Sequence, residues 1–262
     1  MRQRRIFLMV LIGFIFFSIS AYSEDTTEDV GKNTNATKYV KKMDELYRST
    51  SSYAEIIMNI ETPNWKRSLR IKSWSLGEKK TFLRILEPKK ERGIATLKIG
   101  NKMWNYLPKI DKIMKIPPSM MMSSWMGSDF TNDDFVKMYT FVEDYNFKII
   151  ENMGKNKNNN VIYIECIPKT GRPIVWGKRI LAIYKDSSLP LWEKFYDGKG
   201  KVVREMIYKD IKKFGDKEIP TVIELISTSK KGNKTIIIYT DAKFNIDIDK
   251  KIFSRKNLRK RI

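Results

Sequence analysis

Leu191-Trp192-Glu193-Lys194-Phe195-Tyr196 runs into Asp197-Gly198-Lys199-Gly200-Lys201 and then into Val202-Val203-Arg204-Glu205-Met206-Ile207-Tyr208. Two runs rich in aromatic and β-branched residues flank a short Asp/Gly turn, the mark of an antiparallel hairpin. The turn is not a phosphate loop, because no helical pattern follows it. The same grammar extends both ways. Upstream, Ala54, Ile56, Met58 and Ile60 alternate with Glu55, Ile57, Asn59 and Glu61. Extended runs follow at 69–72, 81–86, 94–99, 102–107, 110–116, 147–151, 161–167 and 179–184, and downstream at 221–228 and 235–239. Turn signals such as Gly100-Asn101, Asp186-Ser187-Ser188, Gly215-Asp216 and Gly232-Asn233 separate them. No long helical pattern lies between strands, which disfavours a parallel α/β sheet. The sequence predicts a mainly β chain whose antiparallel meander forms one large curved sheet or open barrel.

Ahead of the first strand, Thr37 is placed to N-cap a helix. Its Tyr39, Val40, Met43, Leu46 and Tyr47 recur at helical spacing, so one face docks on something apolar. Residues 24–36 are polar and aperiodic and read as a flexible leader. At the N-terminus, Arg2, Arg4 and Arg5 precede an apolar run from Ile6 to Ile19. Ala21-Tyr22-Ser23 then sets small residues at the −3 and −1 positions of a cut before Glu24. Residues 1–23 therefore read as a secretory signal peptide, and the protein as exported. The apolar run is shorter than the ~20 residues of a spanning helix, although an uncleaved anchor is the alternative. The expected organisation is 1–23 signal peptide, 24–36 leader and 37–262 one β domain.

The chain has 262 residues, 51 Lys and Arg against 30 Asp and Glu, one Cys and no His. Without His there is no Ser-His-Asp or Cys-His site and no His-ligated metal. One Cys excludes an internal disulfide and a Cys-based zinc cluster. Cys166 alternates within a strand run and reads as a buried strand residue. Formal net charge is +21. Cleavage before Glu24 leaves 48 basic residues against 30 acidic ones, a net +18. For an exported chain that charge points away from nucleic acid and towards phospholipid headgroups, lipid phosphates or acidic glycans.

One segment breaks the meander, at 117–140. Pro117-Pro118 ends a strand. Ser119-Met120-Met121-Met122-Ser123-Ser124-Trp125-Met126-Gly127-Ser128-Asp129-Phe130 follows, and then Thr131-Asn132-Asp133-Asp134-Phe135. Thr131 and Asp134 have capping-box spacing, so a short helix starts near 132 with Phe135, Met138 and Tyr139 on one face. Of the 13 methionines, five lie between 114 and 126. Methionine is flexible and suits surfaces that accept varied apolar ligands. The segment reads as a plug in the core or as a lid over an apolar cavity. Both readings place its side chains inside.

Arg92-Gly93 with Leu97, then 100–108, Lys115-Ile116-Pro117, Gly127-Ser128-Asp129-Phe130 and Asp133-Asp134-Phe135 resemble the outer-membrane lipoprotein-sorting protein family. This is the LolA-like group of periplasmic carriers, in the branch associated with resistance-nodulation-division transporters. Leu189-Pro190-Leu191, Phe195-Tyr196-Asp197, Ile219-Pro220, Ile248 and Ile252-Phe253-Ser254 fit the same pattern, so the resemblance spans 39–259. It implies a half-open antiparallel β-barrel with a few helices covering its concave face. It implies a carrier that holds lipid or lipoprotein acyl chains in an apolar cavity, passes them between membrane partners, and needs neither catalysis nor a cofactor.

The residues expected to line that cavity are Trp74, Phe82, Trp104 and Tyr106 from strands. From the lid come Met114, Met120, Met121, Met122, Trp125, Met126, Phe130, Phe135 and Met138. Trp176 and Trp192 belong to the same aromatic set. Gly127, Ser128, Asp129, Asp133 and Asp134 are expected to be structural, with the aspartates satisfying a helix start. The alternative for the aspartates is a hard-cation site or the acid–base pair of an envelope hydrolase. A sensor domain using the same cavity is a further alternative. The basic tail of Arg255, Lys256, Arg259, Lys260 and Arg261 reads either as a frayed solubilising end or as a contact with an anionic membrane.

Overall fold

In the computed structural model one antiparallel sheet carries thirteen strands, and the structure describes residues 26–47, 49–137, 141–151, 159–172 and 174–260. In chain order these are β1 (Ser51–Glu61), β2 (Lys66–Leu76), β3 (Lys80–Glu87), β4 (Ala95–Ile99), β5 (Lys102–Leu107), β6 (Lys112–Lys115) and β7 (Tyr145–Ile150). The second half comprises β8 (Val161–Pro168), β9 (Lys178–Tyr184), β10 (Pro190–Tyr196), β11 (Val202–Phe214), β12 (Lys217–Ser227) and β13 (Lys234–Phe244). Spatial order runs from β6 back to β1, then from β13 back to β7. The two half-meanders join in the middle, where β1 pairs with β13 through Ile56↔Tyr239, Met58↔Ile237 and Ile60↔Thr235. β6 and β7 are the two edges, so the barrel is open, as the meander predicts. The hairpin read first is present, with Asp197 Oδ1 accepting the backbone N–H groups of Lys199 and Lys201 at 2.9 Å.

Alternation decides the faces. In β1, Ala54, Ile56, Met58 and Ile60 point to the concave side, where Leu69, Ile71, Leu83, Ile85 and Leu225 join them in one core. Further along the same face, Phe147, Ile162, Ile164, Cys166, Leu181 and Ile183 form a second core. Cys166 is fully buried, and burial pushes its thiol well above the ordinary range. Helix α1 (Thr26–Asp44) covers this second core with Ala36 and Val40, backed by Tyr39 and Met43. Leu46 and Tyr47, just past the helix, pack on the first core. The helix begins at Thr26 and runs through most of the stretch read as a leader, so Thr37 lies inside it rather than capping it. The signal-peptide segment 1–23 lies outside the described residues. Among the described residues no helix is long and apolar enough to cross a membrane.

The convex side of β2–β5 carries a third core that the sequence reading did not anticipate. Phe82, Ala95, Leu97 and Tyr106 are buried there, with Trp74 and Trp104 beside them, beneath Ile248, Phe253 and Leu258 of the C-terminal segment. That segment ends in the short helix α4 (Arg255–Leu258), whose N-cap Ser254 accepts from the Asn257 N–H. Arg84, on the convex face of β3, donates to the carbonyl oxygens of Asn257 and Lys260. The tail is therefore docked rather than frayed. Arg255, Lys256, Arg259 and Lys260 remain exposed around the buried Leu258, and Arg259 pairs with Asp111 at 3.3 Å. Arg261 lies outside the described residues.

Truncating Leu258 to Ala should open a cavity in the convex core and cost about 2–5 kcal/mol. Urea unfolding should show the midpoint fall with an unchanged slope. A shift within error of zero would mean that the tail is not part of the folded core.

Candidate functional site

Inward residues from β1–β3 on one side and β9–β13 on the other converge on one cavity of about 230 Å³, so the sheet curves around it. Ala54, Ile56, Met58, Ile71, Leu83, Met206, Ile223 and Ile237 form its apolar wall. A polar strip of Ser52, Ser73, Ser75 and Thr81 crosses that wall, with Ser52 Oγ and Ser75 Oγ 2.6 Å apart. Met43, Asp44 and Tyr47 border the cavity from α1 and the turn after it. Tyr47 is fixed by a 2.8 Å bond to the Pro220 carbonyl and by stacking on Tyr239 at 5.3 Å.

The rest of the cover is the crossing from β6 to β7. It includes α2 (Asn132–Lys137) and α3 (Phe141–Asp144). Its first part is held by polar contacts. Asn132 is buried and donates its Nδ2 to the carbonyls of Met120 and Ser123 at 3.0 and 3.3 Å. Trp125, 1% exposed, donates Nε1 to Thr96 Oγ1 on β4 at 3.1 Å, and its ring lies 4.9 Å from that of Phe135. The chain then reverses through Met126 and Gly127, both at positive φ. That geometry favours glycine, and a Cβ on Gly127 would sit 3.3 Å from Arg67 Nη2. Arg67 donates to the Met126 carbonyl and pairs with Glu91 at 2.6 Å. Ser128 Oγ donates back to the Trp125 carbonyl at 2.7 Å. Asp129 Oδ2 accepts from Thr235 Oγ1 of β13 at 2.9 Å. The Gly-Ser-Asp-Phe block is thus a tight reversal pinned to the sheet.

The predicted capping box is present. Thr131 Oγ1 accepts the Asp134 N–H, and Asp134 Oδ2 accepts the Thr131 N–H. Asp134 does more than cap. Its two oxygens receive Nη1 and Nη2 of Arg204 at 2.8 and 2.6 Å, a bidentate pair between cover and sheet. Arg204 is 7% exposed and lies over Phe195 at 3.9 Å and Trp176 at 4.4 Å. Next to it, Arg179 donates to Glu193, which is 2% exposed, and lies 4.0 Å from Phe141 and 4.6 Å from Phe195. Burial alone would raise the Asp134 carboxyl, but Arg204 and Thr131 hold it below its ordinary value. Burial pushes Glu193 upward against the pull of Arg179 and Arg204.

The expected site residues separate into three groups. Trp125, Phe130, Phe135, Asp133 and Asp134 border the cavity together, and Met121 and Met126 pack against its core. Met114 shares a face with Asn105 and Thr96 by register, towards Trp125. Trp74, Phe82, Trp104 and Tyr106 do not line the cavity; they face away from it, under the C-terminal segment. Met120 and Met122 are 48% and 40% exposed, so they lie outside the core, contrary to both readings of the segment. Met138 and Tyr139 lie outside the described residues. Trp176 lines the cavity, whereas Trp192 packs against Tyr163 on the opposite face. The aspartates diverge, Asp129 to Thr235 and Asp134 to Arg204, and no group of three or more metal-ligating side chains occurs among the described residues. Arg179, Glu193 and Arg204 were missed. Their only trace in sequence is parity, since they share a face with Phe195 and Met206 in the opening hairpin and its neighbour.

Asp134 has a depressed carboxyl in the folded state, so its contribution is complete above the unfolded value of ~3.9 and is lost as pH falls through the folded value. Removing one partner of such a buried pair costs about 3–5 kcal/mol. Asp134→Asn should therefore be less stable than the parent at pH 7, and the gap should close as melts are taken down towards pH 3. A gap that stays constant over that range would show that the pair contributes nothing.

A family model described as "Uncharacterized protein" matches residues 77–260. No curated protein matches the sequence. Solved structures do. A DUF1329 family protein from Desulfovibrio piger is 21% identical with a TM-score of 0.77, over 87% of this chain and 99% of that one. An outer membrane lipoprotein-sorting protein domain from Vibrio parahaemolyticus is 20% identical with a TM-score of 0.74, over 87% and 100%. A LolA superfamily protein from Nitrosomonas europaea is 22% identical with a TM-score of 0.70, over 85% and 98%. The chain belongs to the family whose model covers 77–260, and its fold is the open β-barrel of the LolA-like, outer-membrane lipoprotein-sorting proteins.

Proposed function

We propose that the protein is a periplasmic carrier that binds the acyl chains of a lipid or lipoprotein between the curved sheet and its helical cover. The observation that carries this reading is the cavity itself, apolar along one wall and closed by a segment that is not part of the sheet. The shared fold with lipoprotein-sorting proteins supports it. Each buried methylene contributes ~0.8 kcal/mol, so a long chain supplies ample gross affinity. Trp125, Phe130 and Phe135 border the cavity from the cover, and a long chain enters by displacing them. Their return when cargo leaves offsets part of the cost of emptying the cavity, which makes release possible.

The site binds rather than catalyses. Its carboxylates Asp134, Asp144 and Glu193 are each paired with a guanidinium, of Arg204, Arg172 and Arg179 respectively. The signal sequence reading at 1–23 and the fold together support the periplasm. Delivery would be to membrane partners, with a transporter of the resistance-nodulation-division type as the candidate and the exposed basic side chains around α4 as a contact for anionic lipid.

Lipid extracted from protein purified without detergent should contain acyl species at near-stoichiometric amounts by mass spectrometry. Ala54→Phe, which fills the wall of the cavity, should weaken binding of a fluorescent fatty acid by about tenfold or more, while overpacking costs no more than about 1–3 kcal/mol. Absence of both bound lipid and saturable binding would exclude a carrier.

A further inference from the structure

The charged residues that border the cavity divide by origin. Asp44, Asp133, Asp134 and Asp144 all come from the helical cover. The sheet supplies Arg179, Glu193 and Arg204. Arg179 and Glu193 satisfy each other within the wall. Glu193 also attracts Arg204, but its direct ion pair is with Arg179, and the direct ion pair of Arg204 is with Asp134 of α2. When the cover lifts to admit a chain, Asp134 leaves with it. The wall then holds one guanidinium in excess, against the rings of Phe195 and Trp176. Aromatic faces attract a guanidinium by cation–π contact but give its N–H groups no acceptor. The closed state already shows the shortage, because Arg204 Nε is buried without a hydrogen-bond partner among the described residues.

Resting on the carrier reading, we infer that the cargo is an amphiphile with an anionic head group, a carboxylate or a phosphate, and that Arg204 receives this group in the place Asp134 holds when the cavity is closed. The geometry suits it. A carboxylate or phosphate accepts two parallel N–H groups from Arg204 as Asp134 does. Arg204, Met206 and Tyr208 are successive inward positions of β11, about 7 Å apart. A head group on Arg204 thus places its chain over Met206 and towards Ile223 and Ile237. Head group and lid compete for one guanidinium. Binding of the anion and release of α2 are then one exchange, in which no charge is left buried without a partner.

The test compares hexadecanoate, hexadecyl phosphate, hexadecanol and inorganic phosphate at fixed ionic strength, with tryptophan fluorescence and calorimetry as readouts. The two anionic amphiphiles should bind about tenfold or more tighter than hexadecanol, the gain of a charge-assisted bidentate contact. In Arg204→Gln that ratio should fall to about one while hexadecanol binding persists, and in Asp134→Asn the ratio should rise. The Asp134→Asn arm decides the matter should the Arg204 variant fail to fold. Equal affinity for hexadecanol and the anions in the parent, or equal loss of all three in Arg204→Gln, overturns the head-group assignment and leaves the carrier reading standing. Inorganic phosphate binding as tightly as hexadecyl phosphate overturns it too, by showing an anion site indifferent to the chain. Failure of all three sixteen-carbon probes to bind overturns the carrier reading and this inference together.

Discussion

The pairing of β1 with β13 governs the rest of the molecule. It joins the first strand of the meander to the last, so the chain walks outward to one edge at β6 and must re-enter at the other edge, β7. The link between those edges has to pass over the concave face. Cavity and cover therefore come from one topological fact, and the cover needs no separate domain. α1 precedes β1 and closes the remaining flank over β7, next to α3. Both central strands turn large side chains inward, Ile56 facing Tyr239 and Met58 facing Ile237, so the seam of the fold also lines the cavity.

The cover is held unevenly. One end is pinned by contacts to the cover's backbone, from Arg67 to the Met126 carbonyl and from the Asp129 N–H to Thr235 Oγ1. The middle is plugged by Trp125 against Phe135. The other end depends on the Arg204–Asp134 pair. A bidentate ion pair at low exposure is strong when intact and costly when half-empty, which makes it a two-state fastening rather than a graded one. Apolar packing alone would resist opening more smoothly and would give no preference between cargoes of equal length.

The meander, the strand positions, the break at 117–140 and the capping box were legible because each rests on local signals: alternation, turn residues and Thr-x-x-Asp spacing. The choice of face was not. β2–β5 are buried on both sides, so an aromatic residue at either parity looks the same in sequence. Trp74, Phe82, Trp104 and Tyr106 fell on the side covered by the returning C-terminal segment, a contact between residues more than a hundred positions apart. The methionines misled for a related reason. Their composition signals an apolar surface, but two of the three at 120–122 have side chains that no partner encloses. Arg204 and Glu193 stayed hidden because both sit in strands where charged residues occupy both parities, and only the fold shows which parity is inside.

An open sheet keeps two rows of unpaired backbone donors and acceptors, at β6 and β7. Each is a template on which a second chain can add a strand. Here both edges are blunted. β6 is four residues long and exposes Lys112 and Lys115, and β7 turns Asn146 and Lys148 to solvent. A neighbouring copy that approaches edge to edge meets like charge and finds little length to pair with. The openness that leaves room for a cover would otherwise invite polymerisation, and lysine at the rims opposes strand addition at either edge.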